Sequence, residues 1–201
     1  MLHELLIALR GHPGYIYSDQ DQKLRVNSSL TFLHPCEVGT DEVEDFNSDC
    51  LQVSILDSLL ELGTDYRTVS QYISSMRSGG MYLGAVCEGL DMVLAEYRDT
   101  LTRLEKEMMY EGDSLPLSLV QHQLSPHRPV LRYLVKLVTG LGRERPAGVM
   151  ILDRVYKAST TGVAAVGAGL RLVLAEGHKV LYKQLVAWLL QVDMISTFQE
   201  P

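Results

Sequence analysis

The sequence predicts an all-α protein, an irregular helical bundle, on two observations. From about residue 48 onward, apolar residues recur at spacings of three and four, which is the period of an amphipathic helix. The stretches between these segments are short and contain glycine, proline and serine, which end helices. With 201 residues, 46% of them hydrophobic, the chain has enough apolar material for one domain with a sizeable core.

The N-terminal part of the sequence is less regular. Residues 1–10 predict a short helix that ends at Gly11. Its apolar side carries Leu2, Leu5, Leu6 and Leu9. Loose alternation of apolar residues at 15–32 is compatible with a small extended or hairpin element. Dense acids together with a proline and a glycine predict an acidic loop at about residues 33–50.

The rest of the sequence predicts a series of amphipathic helices joined by short loops. The segments are about 48–62, 64–76, 81–109, 117–124, 126–138, 146–157 and 163–193. Gly63 is expected to end the first of them, and Thr64 to cap the second. Gly140 and Gly142 are expected to end the fifth. Such a pattern favours an antiparallel bundle.

Charge is distributed unevenly along the chain. The formal net charge is −7, which is unfavourable for binding nucleic acid. Residues 26–66 contain nine acids and neither lysine nor arginine, whereas residues 126–183 contain ten basic residues and three acids. Two interpretations stay open. The two segments are solvated faces that attract each other within the fold, or they are opposite poles that meet head to tail between neighbouring molecules.

No arrangement of residues predicts catalysis. His122 and His127 are separated by Pro126 and do not share one helix face as a ligand pair. The glycine-rich stretch at 162–169 lacks the Gly-Lys-Ser/Thr of a phosphate-binding loop, and close helix packing explains its small residues. We therefore predict that the chain is not an enzyme and has no catalytic, cofactor-binding or metal-ligating residues.

The cysteines and the last apolar stretch favour a cytosolic protein. The three cysteines, Cys36, Cys50 and Cys87, are scattered, which favours free thiols in a reducing compartment. The apolar stretch at 180–192 is interrupted by polar residues and is too short to span a membrane. Within it, Tyr182 and Trp188 are expected to pack in the core, with packing at an interface as the alternative.

Several short blocks occur in a specific order and spacing between the first residue and about Gln191. They are Met1–Gly14, Phe32–Glu37, Leu60–Tyr66, Tyr82–Leu83, Cys87–Asp91, Tyr97–Arg98, Val155–Lys157, His178, Tyr182–Leu185 and Trp188. Taken together, they resemble the N-terminal conserved region of the gamma-tubulin complex component family. The sequence departs from the family pattern at residues 38–52, which look expanded and acidic, and at 78–80, where a linker looks shortened.

The resemblance implies a function as well as a fold. Members of this family are elongated, all-helical proteins whose N-terminal regions pack side by side with those of other gamma-tubulin complex components. Their C-terminal regions hold gamma-tubulin, and the assembly templates microtubule nucleation at centrosomes and spindle poles. The resemblance thus implies a scaffold module of the gamma-tubulin ring complex in the cytoplasm and cytoskeleton. It would reach gamma-tubulin through the complex, with no membrane or nucleic-acid partner.

On this basis residues 1–194 are assigned to one helical assembly region and residues 195–201 to a tail. The expected lateral surface combines basic residues of the later helices with apolar positions on the first helix. These residues are Arg128, Arg132, Lys136, Leu2, Leu5 and Leu6. One alternative is a helical adaptor that docks a partner helix on the stripe of the last helix. Another is a small enzyme with an unrecognised site.

Overall fold

The computed structural model describes residues 2–14, 17–20, 23–26, 43–111 and 116–197, and side chains within 3–14, 54–110 and 116–190. Within these residues there are seven helices and one two-stranded hairpin. They are α1 (Leu2–Leu9), β1 (Tyr17–Gln20), β2 (Lys23–Val26), α2 (Val43–Met76), α3 (Met81–Glu111), α4 (Leu117–Leu124), α5 (His127–Glu144), α6 (Met150–Ser159) and α7 (Ala164–Thr197). The all-α prediction is confirmed. No helix in the described part of the chain is both long and apolar enough to cross a membrane.

The expected small extended element is an antiparallel hairpin. Its strands pair with Tyr17 opposite Val26 and Gln20 opposite Lys23, and β1 lies against α1. The last eight residues of the predicted acidic loop are helical, since α2 already begins at Val43, and residues 33–42 lie outside the described residues. Residues 43–50 contain no proline or glycine, so nothing in the local sequence interrupts a helix there.

Two predicted helix ends are wrong. α2 continues through Gly63, and α5 continues through Gly140 and Gly142 to Glu144. A glycine inside a helix costs only about 1 kcal/mol relative to alanine, which tertiary packing readily offsets. α5 ends instead where Arg145 adopts a left-handed backbone, with φ of 43°. α7 runs to Thr197, into the residues assigned to a tail, because no glycine or proline follows Gly177 before that point.

The chain divides into two compact units, each with its own core. Unit 1 comprises Met1–Ser70 and Ala95–Val135, and unit 2 comprises Gln71–Leu94 and Lys136–Pro201. In unit 1 the ring of Tyr97 is almost fully buried, at 1% exposure. Its centroid lies 5.2 Å from that of Tyr66 and 5.7 Å from that of His127. Aromatic contacts at these distances stabilise a core beyond the area that they bury.

Close helix approach characterises unit 2. α6 packs against α7. A Cβ atom placed on Gly89 of α3 would lie 2.6 Å from the Cα atom of Val173 of α7. One placed on Gly169 would lie 3.2 Å from a methyl group of Val93. The prediction that the small residues at 162–169 serve close helix packing therefore holds at Gly169, where a larger side chain would displace its neighbour.

Candidate interaction surfaces

The second half of α7 is exposed although it is mostly apolar. Every residue from 182 to 190 is exposed. The large apolar side chains, exposed by between 48% and 65%, are Tyr182, Leu185, Val186, Trp188, Leu189 and Leu190. Successive residues of an α-helix are about 100° apart, so these side chains cover an arc of about 200° around the helix axis, and Lys183, Gln184 and Ala187 occupy the rest. An apolar face this wide is typical of a helix that packs against other elements, which makes this segment a candidate interaction surface.

The prediction that Tyr182 and Trp188 pack in the core is therefore wrong, and the alternative of interface packing remains. Among the described residues, the one ring contact of Tyr182 is with His178, one turn earlier, and the two centroids lie 6.1 Å apart. Gln184, which lies between Tyr182 and Trp188 in sequence, accepts a 2.6 Å hydrogen bond from the hydroxyl of Tyr82. Gln184 thus joins α7 to the start of α3 within unit 2.

In unit 1, two of the three basic residues proposed for a lateral surface meet an acid of the same chain. Glu61 forms ion pairs with both Arg128, at 3.1 Å, and Arg132. Arg128 also donates a 3.4 Å hydrogen bond to the backbone carbonyl of Ser58. Burial, and secondarily the charge of Glu61, raise the pKa of Asp65, while the two arginines lower it. Here the acidic and basic segments attract each other within the fold.

These arginines nevertheless remain accessible. The side chains of Arg128 and Arg132 are 41% and 51% exposed, and Lys136 is exposed. The apolar part of the predicted surface differs. Leu5 and Leu6 are buried in unit 1, so they are core residues rather than exposed positions. The side chain of Leu2 lies outside the described residues.

Unit 2 contains an open apolar groove that the sequence does not signal. Its volume is about 660 Å³, and it is lined by parts of residues 72–83, parts of residues 141–151 and Gln184. These segments are remote in sequence, so no local pattern predicts that they meet. Among the described side chains that line it, Arg145 is the one charged group. Burial, followed by the nearby thiol of Cys87, raises the pKa of Tyr72 to about 12, so this lining phenol is neutral at physiological pH.

Comparison with known proteins identifies the family. Residues 2–200 match the family model described as Gamma tubulin complex component N-terminal. The chain belongs to this family. It is 32% identical over 218 residues to gamma-tubulin complex component 4 of Mus musculus and 34% identical over 219 residues to that of Homo sapiens, with all of this chain covered. A homolog from Medicago truncatula is 24% identical over 94% of the chain.

The family resemblance predicted from short residue blocks is confirmed by this match. The chain spans about 30% of the length of the mouse and human relatives and 28% of the Medicago truncatula homolog. The mouse and human relatives thus match the whole chain with a part of their own length, and the Medicago truncatula homolog matches 94% of it.

One titratable group of unit 1, His127, is engaged in packing and hydrogen bonding. Within the described residues, no three histidine, cysteine or acidic side chains are arranged to hold a metal ion. Thr100 donates its hydroxyl proton to the carbonyl of Glu96 at 2.9 Å, so it must accept the 3.0 Å hydrogen bond from Nε2 of His127. Burial lowers the pKa of His127. Its ring therefore serves as a neutral packing and hydrogen-bonding group.

Among the three cysteines, the structure describes the side chain of Cys87. Cys87 is a buried free thiol on α3, and burial raises its pKa. A thiol with a raised pKa is a poor nucleophile at neutral pH, so Cys87 acts as a small core residue. Cys36 and the side chain of Cys50 lie outside the described residues.

Proposed function

We propose that this chain is a structural, non-catalytic scaffold module of the gamma-tubulin ring complex. It packs laterally against neighbouring gamma-tubulin complex components, in a heterologous contact, and so helps to template microtubule nucleation at centrosomes and spindle poles. Gamma-tubulin is reached through the complex. The proposal is supported by the family match over residues 2–200 and is carried by one observation, the exposed apolar segment 182–190 of α7.

The physical reason is the cost of leaving this segment in water. Burial of apolar surface contributes about 25 cal/mol per Å², and aromatic side chains such as Trp188 are frequent anchors of interfaces. Because the apolar side chains cover about 200° of the helix circumference, a single flat surface would not cover all of them. Side-by-side assembly of helical components supplies such elements.

Charges on α5 are proposed to orient this contact rather than to drive it. Arg128 and Arg132 are neutralised in part by Glu61, so an acid of a neighbour would have to compete with Glu61. Lys136 is exposed and carries the more available charge. Charged groups at the rim of an interface chiefly affect association rate and specificity. We expect Lys136→Glu to weaken binding to a neighbouring component at modest salt, and unchanged binding there would exclude this electrostatic contribution.

The main test is co-purification of the chain with co-expressed gamma-tubulin complex components. Val186→Glu and Leu189→Glu each place a charge in the apolar segment, and each should reduce the recovered complex about tenfold or more, since burying an unpaired charge is costly. Arg171→Gln is the matched control, because Arg171 is an exposed residue of α7 and its replacement changes net charge by the same amount.

Circular dichroism of each variant establishes that helical content is retained. If Val186→Glu is recovered in complexes as well as Arg171→Gln, α7 is not the lateral surface. If the unchanged chain co-purifies with none of the components, the proposed function itself is overturned.

A second candidate function is a helical adaptor that docks a partner helix and has no role in gamma-tubulin contact. The exposure of Tyr182 and Trp188 favours it, since both are side chains that a partner helix in a groove commonly contacts. The two candidate functions differ in the kind of partner that they require. An adaptor would bind a single helical peptide, whereas lateral packing requires a folded component.

A further inference from the structure

The groove of unit 2 combines an apolar lining with a single cation. Leu141 and Ile151 are buried parts of the lining, whereas Arg145 and Met81 are exposed. The volume of about 660 Å³ falls within the ordinary range of binding pockets, about 300–1,000 Å³. A pocket of this kind takes an apolar group and fixes its orientation by a few polar contacts.

The charge of the groove lining determines whether a positively or a negatively charged group fits it. Arg145 lines the groove and forms no ion pair within the part of the chain that the structure describes. None of the described lining side chains is acidic. By contrast, Arg154, which is not part of this lining, is paired with Glu144. A guanidinium without an acidic partner favours a carboxylate, which it can bind through two parallel hydrogen bonds.

The backbone at Arg145 closes α5, because its N–H donates a 2.9 Å hydrogen bond to the carbonyl of Leu141. Its φ of 43° lies in the left-handed region, which is unfavourable for an arginine and usual for glycine or asparagine. A long charged side chain is thus held at the groove although the local backbone conformation favours a different residue type.

The groove is suited to a polypeptide. A Cβ atom placed on Gly80 or Gly148 would find nothing within 4 Å, so the main chain of a partner could approach the groove closely at both positions. Met81, which lines the groove, is 64% exposed. Exposed methionines are frequent on surfaces that accept varied helical partners.

We infer that this groove docks a segment of a partner protein in which a bulky apolar side chain stands next to a carboxylate. The apolar side chain packs against Leu141 and Ile151, and the carboxylate pairs with Arg145. This site is distinct from the exposed segment of α7, and the inference does not rest on lateral assembly.

The test uses the whole chain and two fluorescein-labelled amphipathic helical peptides. Both have leucine and phenylalanine on one face, while the other face carries glutamate in the first peptide and lysine in the second. Fluorescence anisotropy should show that the acidic peptide binds at least about tenfold more tightly than the basic one. Arg145→Asn keeps a residue that tolerates a positive φ and should weaken binding of the acidic peptide about threefold to tenfold. Arg143→Asn, on the exposed end of α5, is its control.

A second pair of variants tests the groove itself. Gly142 lines it, and a Cβ atom there would lie 3.8 Å from the ring of Tyr72, so the side chain of Gly142→Leu should fill the groove and abolish peptide binding. Gly140→Leu alters the same helix outside the groove and should leave binding unchanged. Equal binding by these two variants, or by the two peptides, would overturn the inference. So would displacement of the peptide by laurate or by a second copy of the chain at comparable concentrations, since the occupant would then be a lipid-like acid or the chain itself.

Discussion

The phenol of Tyr97 donates a 2.9 Å hydrogen bond to the backbone carbonyl of Leu9. This bond joins the middle of α3 to the last residue of α1, and both groups are buried. Because helix C-termini leave carbonyls without intrahelical partners, the tyrosine hydroxyl satisfies an acceptor that would otherwise be buried and unpaired. Burial raises the pKa of Tyr97, so the hydroxyl remains a donor throughout the physiological range.

Tyr97→Phe should therefore destabilise the chain by about 1–3 kcal/mol, the cost of a buried unsatisfied polar group. The ring contacts with Tyr66 and His127 are retained in this variant. Urea denaturation followed by circular dichroism measures the change. Tyr110→Phe is the control, because Tyr110 lies on the same helix and is 90% exposed. Equal denaturation midpoints for the two variants would show that the Leu9 carbonyl finds another partner.

Gly63 and Gly140 both lie inside long helices but should respond oppositely to alanine. A Cβ atom at Gly63 would clash with the backbone carbonyl oxygen of Ala8, whereas one at Gly140 would meet nothing within 4 Å. Gly140→Ala should stabilise the protein by about 0.5–1 kcal/mol through helix propensity. Gly63→Ala should destabilise it despite the same gain, because backbone must move to relieve the clash. Thermal unfolding of the two variants makes the comparison, and a gain in stability at Gly63 would contradict the close approach of α1.

These glycines also show where sequence reasoning stops. Periodicity located every helix of the described chain, since apolar spacing reflects burial directly. It placed false ends at Gly63 and Gly140, because the sequence does not show whether a glycine ends a helix or admits a neighbouring backbone. Likewise, the apolar pattern predicts that Trp188 packs in the core, because a pattern shows that a side chain needs to be covered but not which molecule covers it.

The lateral-surface residues show the same limit for charges. Charge segregation was evident from composition, but the pairing of Glu61 with Arg128 and Arg132 joins positions that are 67 and 71 residues apart. No spacing rule relates such positions. The groove around Arg145 could not be predicted for the same reason, because its lining comes from three separate parts of the sequence.

His127 should make stability depend on pH below neutrality. Its pKa is lowered from the ordinary 6.5 by burial, with Glu96 raising it and Arg103 lowering it. The folded state therefore binds a proton less readily than the unfolded state, so this contribution to stability is complete above pH 6.5 and is lost as pH falls below it. His127→Gln, whose amide can still donate to Thr100, should flatten the pH dependence of the unfolding free energy between about pH 7 and 5.

His122→Gln is the control for this experiment, because His122 is exposed and should leave the pH dependence unchanged. Asp65, whose pKa is raised, favours the folded state as pH falls, but it is present in all three proteins and cancels in the comparison. Identical pH profiles for His127→Gln and the unchanged chain would show that His127 is readily protonated in the folded state.

Arg128 and Arg132 should be energetically coupled through their shared partner. Both arginines and Glu61 are roughly half exposed, so each ion pair is worth at most about 1 kcal/mol. Arg128→Ala or Arg132→Ala alone should cost little, since Glu61 keeps the other arginine. The double variant leaves Glu61 without either partner and beside Asp65, and should cost more than the sum of the single variants. A double-mutant cycle at low salt measures this coupling, and in about 0.5 M salt it should nearly vanish. A coupling that persists in salt would mean that contacts of the arginine stems, rather than charge, join α5 to α2.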